Sequence, residues 1–254
     1  MTRWPPARVI FAMTLMALSL QCTGGFADSA PPPRVPWREL TFQTSSIAGS
    51  VTTQVRLDTV PATAAANSLI DYPESGASQP SGDDVLVMTV RTALRIPFSK
   101  EKRYEGKVWL NPDGSALQRV RRSFGRDPSE KTYRYGASGV YRVRREPAVP
   151  QEKDQSPQRW TRARGTFHPY GAGSGRCSLV SDPTGLLYLV SAFEPASLGP
   201  GLCAFNQRRL YQVRVDPVAE DRVRWHDPRR GSEGGVAKQR QSILADPRVW
   251  PPPR

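Results

Sequence analysis

Histidine and cysteine, the most versatile catalytic and metal-binding residues, are scarce in this 254-residue chain, which has two His and three Cys. His168 and His226 stand in separate loops, each beside Pro or Asp. There is no HExxH pair and no cluster of His, Cys, Asp and Glu, so no metal and no cofactor is expected. No serine lies in a G-x-S-x-G elbow. The run Gly171-Ala172-Gly173-Ser174-Gly175 lacks the Gly-Lys-Ser/Thr ending of a phosphate loop and reads as a flexible connector into Cys177. The acidic residues fall mainly in turns, such as Asp113, Asp127 and Asp182, where solvation accounts for them. These absences argue against an enzyme.

No apolar run is long enough to cross a bilayer as a helix. The longest near the start, Val9 to Leu20, follows Arg3 and Arg8 and has the length of a signal-peptide core. Gly25-Phe26-Ala27 offers small residues for cleavage after Ala27, so 1–27 is read as a signal peptide and the protein as exported to the periplasm. The alternative is an envelope lipoprotein lipidated at Cys22, although Gln21 stands where a small residue is wanted.

Removal of the leader leaves 34 Lys and Arg against 23 Asp and Glu, a net of +11. That balance draws anionic partners by long-range attraction. Outside the cytoplasm these are envelope lipid head groups and acidic glycans rather than nucleic acid, and peripheral membrane association fits the same charge.

Proline (25) and glycine (20) are abundant, which favours strands bounded by turns over long helices. Residues 28–36 are a Pro-rich spacer. Residues 37–226 read as a single β domain. Val51, Thr53, Val55, Leu57 and Thr59 alternate on one face of a strand, and Leu86, Met88, Val90, Thr92, Leu94 and Ile96 on one face of another. Val85 and Val87 make the second strand apolar on both faces, so it is expected to be central. Between them, 61–84 is a long polar loop, read as a lid or a disordered excursion, with a short helix at Ala62 to Leu69. Asn111-Pro112-Asp113-Gly114 closes a hairpin from Arg103 to Phe124, and Gly136 to Gly139 closes a second from Thr132 to Arg145. Gln158 to Phe167, Leu186 to Phe193 and Arg208 to Val215 are further strands. The tail, 227–254, is basic and reads as largely disordered, with a short amphipathic segment at Val236 to Ala245. The fold class is therefore mainly β: a curved antiparallel meander or half-barrel of about 8–11 strands with few short helices.

Cys177 and Cys203 are expected to form a disulfide in an oxidising compartment. The chain-entropy model gives a loop of this length roughly 3–3.5 kcal/mol. The candidate anion-binding residues are Lys107, Arg119, Arg121, Arg142 and Arg144, crowded on the two hairpins with Tyr133, Tyr135 and Tyr141 nearby. Arginine forks bind phosphates and carboxylates in two-point fashion.

The start Trp37-Arg38-Glu39-Leu40-Thr41-Phe42, the strand Gly49 to Leu57 and the hairpin Lys107 to Arg122 resemble the periplasmic half-barrel envelope proteins. These include the lipoprotein carrier LolA and the DUF3108-type proteins. The resemblance implies a curved sheet and carries no functional residue across. Two functions follow. One is a module that binds an anionic or amphipathic envelope molecule, which requires an apolar concavity rimmed by arginine. The other is an interaction protein that docks another envelope protein, which requires a filled core.

Overall fold

The computed structural model describes residues 35–223 and 237–245. The leader, Cys22, most of the 28–36 spacer, His226 and most of the 227–254 tail lie outside them. Eight consecutive strands form an antiparallel meander that is not closed into a barrel. They are β1 (Glu39–Ser46), β2 (Gly49–Pro61), β3 (Asp84–Arg95), β4 (Lys102–Leu110), β5 (Ala116–Ser123), β6 (Ser129–Tyr135), β7 (Gly139–Glu146) and β8 (Arg162–Pro169). The predicted faces hold. Val55 and Leu57 of β2 and Leu86 and Met88 of β3 are buried together on what we call the inner face. Val85 and Val87 are buried on the outer face, so β3 is apolar on both sides.

The outer face carries the 61–84 segment as an ordered strap. It opens with the helix α1 (Ala62–Ala66). Ala65 and Leu69 pack on Val85, Val87, Trp109 and Leu117. The Ile70 amide donates to Gln118 Oε1 (2.7 Å), the Gln118 amide donates to the Ser68 carbonyl (2.9 Å), and the Ser81 amide donates to Asn111 Oδ1 (2.9 Å). These partners satisfy strap backbone that would otherwise be buried and unpaired, which is why this long polar loop settles on the sheet.

The apolar rows of the inner face are covered by the C-terminal half. There β9 (Leu179–Ser181), β10 (Leu202–Asn206), β11 (Arg209–Val223) and β12 (Ala237–Ala245) form a second sheet in the order β12-β11-β10-β9. Strands β9 and β10 are parallel. A parallel pair needs a crossover, usually helical, and here it is α2 (Gly185–Ala192) followed by α3 (Pro195–Leu198). The expected strand at Leu186 to Phe193 is therefore a helix, wedged between two apolar surfaces. The expected amphipathic segment at Val236 to Ala245 is instead β12, paired with β11.

Helix α2 docks on the turn between β4 and β5. Tyr188 Oη donates to the Pro112 carbonyl and Ser181 Oγ to the Gly114 carbonyl, each at 2.7 Å. Gly114 has φ +85°, and a Cβ there would stand 2.2 Å from Leu189 Cδ2. The position thus needs glycine both for its backbone and for its packing. Cys177 and Cys203 are bonded, with Cα atoms 5.6 Å apart, which ties the approach to β9 to β10.

Candidate functional site

Cross-strand register decides which basic residues meet. On the inner face Val108, Arg119, Tyr133, Arg142 and Thr166 stand in one row, directly opposite one another. The next row, two residues toward the β5–β6 turn, is Gly106, Arg121, Lys131, Arg144 and Arg164. Four cations thus follow one another across β5, β6, β7 and β8. At the usual strand spacing they extend over about 15 Å. Arg121, Arg144 and Arg164 are exposed, and Lys131 is half-buried.

Like charges placed directly opposite are unfavourable, and the row's own electrostatics register this. Lys131 is held below its ordinary lysine range by burial, then by Arg144, Arg121 and Arg142. Among the described residues one carboxylate relieves the row: Glu146 pairs with Arg144 at its edge. The outer face differs. Glu130 pairs with Arg122 at 2.6 Å and with Arg145 at 3.8 Å, and Glu105 pairs with Arg91 at 3.1 Å.

Of the five candidate residues, Arg121, Arg142 and Arg144 share this inner-face site. Arg142 is half-buried, and its Nε has no hydrogen-bond partner among the described residues. Arg142 and Arg208 also act on His168, whose imidazole is held below its ordinary range first by burial and then by these two charges.

Arg119 lies on the same face but serves the fold. Its Nη1 donates to Asp182 Oδ2 at 3.0 Å, and Tyr135 Oη donates to the same oxygen at 2.9 Å. The Thr184 amide donates to Asp182 Oδ1 at 2.8 Å, at the start of α2. Burial opposes the Arg119 charge, but the Asp182 carboxylate outweighs it and holds the guanidinium above its ordinary range. Burial, then Asp182, pushes the Tyr135 phenol well up. Asp182 itself is completely buried, so its reading as a solvated turn residue is corrected.

Lys107 lies on the outer face, opposite Thr89 and Val120, with Nζ 4.8 Å from the centre of the Trp109 ring. It is separated from the other four by the sheet. Tyr133 and Tyr135 are buried on the inner face, whereas Tyr141 stands opposite Arg134 and Phe167 on the outer one. Lys131 and Arg164 complete the row and were not among the candidates. Their membership follows from register, which the Gly136–Gly139 turn fixes for Lys131 and Arg144.

The apolar concavity rimmed by arginine is replaced by packing. The apolar rows of the inner face form one cluster with Leu186, Tyr188, Leu189, Leu202 and Phe205. A cavity of about 300 Å³ remains beside the disulfide, lined by Ser78, Ser115, Tyr135, Tyr170, Cys177 and Val180, among others. No family model matches the chain, and no curated protein or solved structure matches it either.

Proposed function

We propose that the protein is an exported, non-enzymatic protein of the periplasm that binds an anionic envelope molecule, a lipid or an acidic glycan, through phosphate or carboxylate groups laid across Arg121, Lys131, Arg144 and Arg164. One observation carries this reading: four cations are stacked directly opposite one another with, among the described residues, a single carboxylate at the edge. An anion lying along the row turns three unfavourable pairs into charge-assisted contacts.

The test is calorimetric titration with a soluble acidic glycan and with short-chain phosphatidic acid below its micellar concentration. Arg121→Glu/Arg144→Glu is expected to weaken binding at least tenfold. Lys107→Glu/Arg56→Glu, at two residues that both stand opposite Thr89 on the outer face, changes net charge equally but away from the row and leaves most of it. Equal losses in the two variants reduce the effect to bulk charge and overturn the proposal.

The filled inner face favours a second reading, in which the basic surface docks another envelope protein. Native mass spectrometry of protein drawn from its own envelope separates the two. A co-purifying lipid or glycan supports the first, and a protein partner with no such ligand supports the second.

A further inference from the structure

Large apolar side chains collect at one end of the meander. In an up-and-down sheet alternate turns share an end, and here those are the β1–β2, β3–β4 and β5–β6 turns. Ile47 stands at the first with a relative exposure of 101%, and Phe98 at the second with 110%. Ile96 and Phe124 are exposed beside them. The three turns are neighbours. A Cβ on Gly49 would stand 2.3 Å from the Arg95 carbonyl oxygen, and the Phe124 amide donates to the Arg103 carbonyl at 3.1 Å. Ser50, Arg95, Arg103 and Phe124 line one groove of about 420 Å³.

The β3–β4 turn is costly in its own right. The Ser99 amide donates to the Ile96 carbonyl at 3.1 Å, Pro97 follows Ile96, and Phe98 has φ +61°. That is the arrangement of a type II turn, whose third position calls for glycine. A bulky aromatic there is strained, and it projects into water. Folding alone favours glycine at this site.

Basic residues flank the middle of the three turns. Arg95, Lys100, Lys102 and Arg103 flank Phe98, and the one carboxylate among them, Glu101, is shared between Arg95 (2.7 Å) and Arg103 (2.6 Å). Neighbouring apolar tips with cations flanking the central one match the boundary of an anionic bilayer, where apolar side chains enter the acyl edge and Lys and Arg meet phosphates. A second copy of the chain docked tip to tip sets the same cations against each other, which disfavours that occupant.

We infer that this end of the sheet is a peripheral docking edge for an anionic lipid bilayer, with Ile47 and Phe98 inserted and Arg95, Lys100, Lys102 and Arg103 on the head groups. The inference goes beyond the cationic row and rests on different residues, so either stands without the other.

The test is flotation of the full chain with phosphatidylethanolamine/phosphatidylglycerol vesicles and with phosphatidylcholine vesicles, for the parent, Phe98→Gly, Ile47→Ser and Phe98→Trp. The parent is expected to float with the anionic vesicles only. Phe98→Gly is expected to unfold at the parent's temperature or above it, yet to partition about tenfold less, since it removes one inserted aromatic. Ile47→Ser is expected to lose binding in the same direction. The tryptophan of Phe98→Trp is expected to be quenched by phosphatidylglycerol brominated along its chains, beyond the quenching of the parent's own tryptophans. Any of three results overturns the inference: no flotation of the parent, flotation of Phe98→Gly equal to the parent, or self-association of the parent that Phe98→Gly abolishes. Because Arg121→Glu/Arg144→Glu leaves these tips intact, bromine quenching in that background reports the edge separately from the row.

Discussion

Asp182→Asn tests the assignment of Arg119 to the fold rather than to the ligand. The substitution keeps size and shape but removes the charge that Arg119 faces. The carboxylate accepts from Arg119 at 3.0 Å, Tyr135 at 2.9 Å and the Thr184 amide at 2.8 Å, all inside a completely buried site. Removing one partner of a buried pair costs about 3–5 kcal/mol, because the remaining charge stays desolvated. The Arg119 side chain keeps 17% exposure, which places the expected loss near the low end, about 3 kcal/mol. In a domain of this size that is a fall of about 6–12 °C in Tm. Urea unfolding followed by circular dichroism, with the disulfide oxidised, should show a lower midpoint at an unchanged slope. The double variant Arg119→Met/Asp182→Asn removes both charges and should be more stable than Asp182→Asn alone. Arg119→Met should bind the acidic glycan as the parent does. An Asp182→Asn protein within about 0.5 kcal/mol of the parent refutes the buried pair. An Arg119→Met protein that loses binding as Arg121→Glu/Arg144→Glu does returns Arg119 to the ligand site.

Two further substitutions probe the same core. Gly114→Ala places a Cβ on a left-handed backbone and against Leu189, and should lower stability by about 2–4 kcal/mol in urea unfolding; a loss under about 1 kcal/mol contradicts the packing of α2 on that turn. Because burial and the charges of Arg142 and Arg208 hold the folded His168 imidazole below the ordinary 6.5, the unfolded chain takes up a proton first as pH falls. Stability should therefore decline below about pH 6.5, and His168→Gln should flatten that decline; an identical pH slope in the two proteins rules His168 out as its source.

The eight-strand meander was readable because its information is local. Alternation assigns the faces of β2 and β3 residue by residue, and Asn111-Pro112-Asp113-Gly114 announces its turn. Helix α2 was not readable in the same way. Leu186 to Phe193 is apolar at every position but Ser191 because it lies between two apolar layers, and over eight residues that pattern fits a buried strand equally well. The helix-start signals just before it, Asp182, Pro183 and Thr184, were the discriminating ones. The cationic site was half legible. Alternation says that Arg119 and Arg121 share a face, and that Arg142 and Arg144 do, but only pairing says that the two faces coincide and that Lys107 faces away. The burial of Asp182 carried no local signal, since the side chains that pair with it, Tyr135 and Arg119, lie 47 and 63 residues away.

Arg119 marks a boundary on the inner face. On one side the rows are apolar and covered by α2, β9 and β10. On the other the rows turn cationic, and Arg121, Arg144 and Arg164 meet water. One carboxylate, Asp182, is delivered by the start of α2 to neutralise the last cation that the cover reaches. Beyond it the repulsion persists, at a few tenths of a kcal/mol per exposed pair, small beside the burial of the apolar rows. A fold can carry such a row indefinitely without being selected to remove it, so its presence alone does not require a ligand. What favours one is the contrast within a single sheet: the outer face sets Glu105 and Glu130 against its arginines, whereas among the described residues the row keeps one acid at its edge. The row and the apolar turns also lie toward the same end, Arg121 standing three positions from Phe124. Insertion of Ile47 and Phe98, as inferred above, would bring the exposed arginines of the row toward the phosphates as well.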